Sequence, residues 1–81
     1  MDRITAFGRV VRKARIAKGL SQEQLAERAN LHRNFVSLVE RGLSKIALDS
    51  LFSLADALEM RTSELIRLTE EEAHKKPNVS R

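Results

Sequence analysis

Three residues suited to ending a helix, Gly19, Asn30 and Gly42, cut the first half of this chain into short segments. Within each segment the apolar residues recur at steps of three and four, the spacing of one helix face. A chain punctuated in this way can bury its apolar residues only by packing short helices against one another, and nothing in it alternates as a strand does. The expectation is an all-α fold with no internal repeat.

Five helices can be placed. In the first, Phe7, Val11 and Ala14, flanked by Ile4 and Val10, make the inner face, while Arg9, Arg12, Lys13 and Lys18 lie opposite. Gly19 closes it as a left-handed C-cap. Ser21, with Gln24 three positions on, has the form of a capping box and opens a second helix whose inner residues are Leu25, Ala26 and Ala29. Asn30 ends it, since asparagine tolerates the left-handed region better than most residues. A third helix runs from about His32 to Arg41, with Leu31, Val36 and Val39 turned inward, and Gly42 stops it. After a connection over Gly42–Ala47, a fourth occupies about Leu48–Leu58. Thr62 is placed to N-cap a fifth that carries Leu65, Ile66 and Leu68, with Glu64 in its first turn. Past Glu72 the periodicity stops, so residues 1–72 read as one domain and 73–81 as a flexible tail.

Size and charge narrow the function. None of the 81 residues is cysteine, which removes disulfides, thiolate metal sites and cysteine nucleophiles. So short a chain is marginally stable alone, and a partner subunit is the remaining common remedy. No apolar run reaches the ~20 residues of a membrane span, and the charged start has no signal core, so cytoplasmic residence is expected. Up to Lys45 ten basic residues face four acidic ones, and beyond it five face seven, so the net charge of +4 divides into +6 and −2. A basic front half attracts polyanions such as DNA, although a solvated basic surface would look the same.

The pair of short helices from Gln22 to Arg41 carries the most information. Two helices packed across a tight turn need a small residue at their closest approach, a turn residue that accepts positive φ, and branched residues behind the second helix. Ala26, Asn30 and the Val36/Val39 pair meet these needs at the spacing of a helix-turn-helix. The stretches FGRVVRKAR, GLSQEQLAERANLHRNFVSLVERG and LDSLFSLADALEM together resemble the lambda-repressor-like family of phage repressor and Cro proteins, the XRE type. The central stretch is also similar to the controller proteins of restriction–modification systems. The resemblance implies five helices, the third lying in the major groove, and a dimer formed through the C-terminal helices. Glycine is commonest at the turn in that family, where this chain has Asn30.

In that geometry the start of the recognition helix meets the base edges, which makes Arg33, Asn34 and Ser37 the candidate readers. Arginine can donate to guanine O6 and N7, and asparagine can pair with adenine N6 and N7. The alternative is that all three are ordinary exposed polar residues. Phe35 can touch a thymine methyl or sugar, or pack between helices. Ser21, Gln22, Arg41, Ser44 and Lys45 are candidate contacts to the DNA backbone, with Ser21 also explicable as a cap alone. Arg12 and Arg28 are weaker candidates. The resemblance further implies that Arg15 and Glu40 pair inside the domain, and that Gln22 corresponds to a backbone-contacting glutamine.

Phe52, Met60, Ile66 and Leu68 are surplus apolar surface that either forms a symmetric dimer interface or completes a monomeric core. His32 and His74, the only histidines, lack metal-ligand spacing with a second ligand. No nucleophile–base pair or phosphate-cradling loop is present, so neither enzyme activity, metal, cofactor nor small-molecule ligand is expected. The expected function is a regulator that binds double-stranded DNA at a near-palindromic operator as a homodimer. Controller proteins of the kind it resembles both activate and repress, and RNA polymerase is then a further candidate partner. The absence of an effector-binding domain points to control by protein concentration. The rival is an antitoxin-like or adaptor module that binds another protein on the same fold.

Overall fold

A computed structural model describes residues 1–75 as five helices with no strand: α1 (Arg3–Ala17), α2 (Gln22–Ala29), α3 (Arg33–Glu40), α4 (Leu48–Ala57) and α5 (Thr62–His74). The helix ends follow from local chemistry. Asp2 caps α1 by accepting from the backbone N–H and the hydroxyl of Thr5, both at 2.9 Å. The backbone bond holds the Asp2 carboxyl below its usual range. Ser21 and Gln24 form the capping box at the start of α2, each accepting from the other's backbone N–H, at 3.0 and 2.9 Å.

The C-terminal ends share one solution. Gly19 and Gly42 take φ of 72° and 71°, and Asn30 takes 57°. Leu20, Leu31 and Leu43 then donate back to the carbonyls of Arg15, Ala26 and Leu38 at 2.8–3.1 Å, which turns the chain and satisfies otherwise orphaned acceptors. The end of α4 uses the same device with Glu59 at φ 57°, a residue that sequence reading passes over because glutamate has no special aptitude for this conformation. Its carboxylate pairs with Lys18 just past the end of α1, and the hydrogen bond from Lys18 lowers its pKa.

Two boundaries differ from expectation. Arg61, not Thr62, occupies the N-cap position of α5 and makes no side-chain cap bond, so Thr62 is the first helical residue. The helix also runs through His74, two residues into the stretch read as tail, because Ala73 and His74 still hold helical backbone where apolar periodicity has ended. The last six residues of that expected tail lie outside the described residues.

All five helices feed the core. Its largest fully buried side chains are Val11 from α1, Leu25 from α2, Val36 and Val39 from α3, Leu54 from α4, Leu58 at the end of α4, and Leu65 from α5. Two close approaches set where α1 lies. Gly8 faces the last turn of α3, where a Cβ would overlap the Val39 carbonyl oxygen and stand 2.8 Å from that of Glu40. On its other flank α1 packs against α5, where Glu72 is 5% exposed and its carboxylate meets Lys75 at 3.1 Å, Lys13 at 3.3 Å and Arg9 at 3.7 Å.

The hydrogen bond from Lys75 is the main cause that lowers the Glu72 pKa, with Lys13 adding to it. A carboxyl with a lowered folded-state pKa contributes stability above its unfolded pKa, and this is lost as pH falls through the folded value. The melting temperature of the wild type should therefore exceed that of Glu72→Gln most at neutral pH. The gap should close as pH drops below the ordinary carboxylate range. A gap independent of pH would mean that the clamp contributes no electrostatic stability.

Candidate nucleic-acid interface

The α2–α3 pair is seated from behind and open in front. Ala26 is 3% exposed where the two helices meet, and Val36 and Val39 are 0% and 1% exposed beneath α3. With those faces committed, Arg33 and Asn34 stand exposed at the start of α3, and Ser37 is half-buried one turn on. Arg41 is exposed at the end of the helix, Ser44 half-buried and Lys45 exposed in the following loop. Phe35, also half-buried, packs against the core and thus follows its packing alternative.

A buried ionic knot fixes this arrangement. Glu40 accepts from Arg15 Nε at 2.6 Å and from Arg15 Nη2 at 3.0 Å, a two-pronged contact between side chains only 12% and 3% exposed. Arg15 also donates to the Leu20 carbonyl at 2.9 Å, and Gln22 donates its side-chain amide to Glu40 at 3.1 Å. The pair expected between Arg15 and Glu40 is present. Gln22, read from sequence as a DNA-backbone contact, here ties the start of α2 to the end of α3, and no spacing signal announces that bond. α1, α2 and α3 meet at this one carboxylate.

The distribution of ion pairs sorts the basic residues. Arg9 and Lys13 turn to Glu72, Arg15 to Glu40, Lys18 to Glu59 and Arg67 to Glu64 and Glu71. Among the described residues Arg33, Arg41 and Lys45 form no ion pair, and neither do Arg3, Arg12, Arg28 and Arg61, so it is their place around α3 that sets the first three apart; Arg41 makes only a 3.4 Å contact with the Ser37 carbonyl. Ser21, Gln22 and Arg33, with Arg15 and Glu23, line a shallow depression of about 370 Å³ beside the α2 N-terminus. Backbone amides in a first helical turn lack intrahelical partners, and the positive end of the helix dipole favours an anion there. The arrangement can thus hold a polyanion against α2 and the α3–α4 loop while presenting Arg33 and Asn34 between those anchors.

The apolar residues of α4 and α5 divide. Phe52 and Ile66 are 49% and 40% exposed, and Leu48, one turn before Phe52, is 67% exposed. Met60 and Leu68 are half-buried and pack against the core. No group of three or more His, Asp or Glu that could hold a metal ion occurs among the described residues, and no helix among them is long and apolar enough to cross a membrane.

Fold and exposed surface together define a helix-turn-helix protein, and residues 11–65 match the helix-turn-helix family. The chain is 38% identical over 64 residues to control protein C.BamHI of Bacillus amyloliquefaciens, covering 78% of this chain and 79% of that protein. The restriction–modification controller protein C.AhdI of Aeromonas hydrophila shares its fold with a TM-score of 0.75 and 44% identity, over 76% of this chain and 94% of that one. The controller protein C.Esp1396I, solved as a tetramer with its natural 35 base-pair operator, matches with a TM-score of 0.84 and 28% identity, over 93% of this chain and 99% of that one. This chain belongs to the helix-turn-helix family, in its restriction–modification controller branch.

Proposed function

We propose that this chain is a transcriptional regulator that binds a near-palindromic operator as a homodimer, with α3 in the major groove. The observation that carries the reading is the unpaired, exposed Arg33 with Asn34 at the start of a helix whose opposite face is buried and tied by Glu40 to α1 and α2. Arg33, Asn34 and Ser37 are the base contacts of this proposal; Ser21, Gln22, Arg41, Ser44 and Lys45 hold the phosphates. The clustering of Arg33, Arg41 and Lys45 around one helix favours DNA over a protein partner, since a docking surface for protein has no need of that concentration of positive charge. Membership in the controller branch supports a role in controlling the genes of a restriction–modification system, by activation and repression at different occupancies. Occupancy is then set by protein concentration, and RNA polymerase is the partner in activation.

The test is a gel shift with the DNA upstream of the chain's own gene, followed by selection of bound sequences from random DNA. Arg33→Ala should weaken binding by about 1–3 kcal/mol per half-site and relax the preference at one base pair in each. Lys45→Ala should weaken all sequences alike and flatten the salt dependence, because each phosphate contact releases counterions on binding. No salt-sensitive shift by the wild type, or an Arg33→Ala protein indistinguishable from it, rejects the regulator reading.

The dimer of this proposal joins the exposed Leu48, Phe52 and Ile66, with Met60 and Leu68 at the margin. In a two-fold interface each residue counts twice, and burying the remaining half of a phenylalanine side chain is worth about 1 kcal/mol per copy. Phe52→Glu, which also buries a charge, should weaken dimerisation at least about a hundredfold. Sedimentation should then show monomer at tens of micromolar with helical content unchanged. A wild type that is monomeric under the same conditions removes the interface.

A further inference from the structure

One apolar residue on α3 has no place in the core. Leu38 is partly exposed, and it is absent from the half-buried residues that pack against the core, which include its neighbours Leu31 and Phe35. Helix geometry explains why. At about 100° per residue, Leu38 lies roughly 200° round from the buried Val36 and returns to within about 40° of Asn34. It therefore shares a face with Asn34, one turn further along. The leucine also sits three positions before the helix cap, where such a residue often touches the one two positions past the cap. That residue is Leu43, which remains 64% exposed, so contact with it leaves Leu43 open and Leu38 half-buried with part of its side chain still exposed.

We propose that Leu38 is a specificity-determining residue that reads a thymine in the major groove through its C5-methyl group. The inference rests on the DNA-binding reading above and deepens it. In the major groove the thymine methyl is the one apolar feature among donors and acceptors, and an apolar side chain is its natural complement. The surroundings of Leu38 favour a nucleic acid over a protein partner. Asn34 lies on the same face, Arg41 is exposed three positions on, and Arg33 and Lys45 flank the helix without ion pairs among the described residues. The apolar surface on α4 and α5 belongs to different helices. One helical turn is about 5.4 Å and one base-pair step about 3.4 Å. The thymine read by Leu38 thus lies within about two base pairs of the one contacted by Asn34.

Replacing thymine by deoxyuridine removes that methyl and leaves every hydrogen-bonding group in place. Each thymine of the sequence selected by the wild-type protein is replaced in turn, and binding is measured for wild type, Leu38→Met and Leu38→Ala, with melting curves for all three. In the wild type, one replacement per half-site should weaken binding roughly fourfold, the worth of one buried methyl-sized group. Leu38→Met should keep that sensitivity. Leu38→Ala should bind the thymine operator several-fold less tightly, lose the sensitivity at that position alone, and melt within a few degrees of wild type. If no thymine loses its effect in Leu38→Ala, the proposal is overturned although the protein binds DNA. A lowered melting temperature with an unchanged pattern of thymine dependence also overturns it and makes Leu38 a packing residue of the helix end. A wild type that selects no sequence at all removes the DNA-binding reading and this inference with it.

Discussion

Replacing Glu40 by alanine is expected to destabilise the domain by about 3–5 kcal/mol, because the Arg15 guanidinium is left buried without its counter-ion. Arg15 would keep only its bond to the Leu20 carbonyl, and Gln22 would lose its acceptor. Small domains have total stabilities of about 5–15 kcal/mol, so such a loss leaves a substantial unfolded fraction at physiological temperature. The attraction of the pair is not the source of the whole effect, since taking both charges out of water opposes it. Arg15→Met combined with Glu40→Leu should therefore recover most of the loss, because the double variant removes both charges and strands neither. Urea unfolding of the two single variants and the double variant measures the coupling directly. A Glu40→Ala protein within 1 kcal/mol of wild type would mean that the knot does not hold the three helices together.

Gly8→Ala should also destabilise strongly, for a steric reason. Alanine in a helix interior is ordinarily favoured over glycine by roughly 0.5–1 kcal/mol, so propensity alone predicts a more stable protein. Here the new methyl group would meet the backbone oxygens of Val39 and Glu40, which no rotamer change can move aside. α1 must then withdraw from α3, against a core packed to crystal-like density. Overpacking of this kind costs typically 1–3 kcal/mol and occasionally more. A net loss of about 2 kcal/mol would lower the melting temperature by roughly 10 °C in a domain of this size. Withdrawal also strains the Arg15–Glu40 contact, which spans the same two helices, so DNA affinity should fall with stability. A Gly8→Ala protein that melted higher than wild type would show that the gap between α1 and α3 opens at little cost.

Much of the site can be read from the chain because it depends on local rules. The capping box at Ser21 and Gln24, the left-handed Asn30, and the Val36/Val39 pair each act within a few residues, and together they place Arg33 and Asn34 at the front of α3. The residues that escaped local reading are those defined by distant neighbours. Gly8 carries a weak signal, an isolated glycine inside a helical pattern, which hints at close packing without naming the partner. Glu72 looks like the last of three adjacent acids, yet it is the one nearly buried against α1. Glu59 takes a conformation that its side chain does not favour, held by the bonds that close α4.

The surplus apolar residues show the same division. Phe52, Met60, Ile66 and Leu68 are equivalent as a list of hydrophobic positions, but packing consumes part of Met60 and Leu68 and leaves Phe52 and Ile66 open beside Leu48. By itself the chain's order of residues determined five helices, the ends of the first three and the face each one buries, since helical period and capping are set by contacts only a few positions apart. Which cations stay unpaired, where α1 touches α3, and which apolar residue of α3 stays out of the core were decided only when the helices packed. Those properties depend on atoms far apart in sequence, and no local pattern encodes that separation.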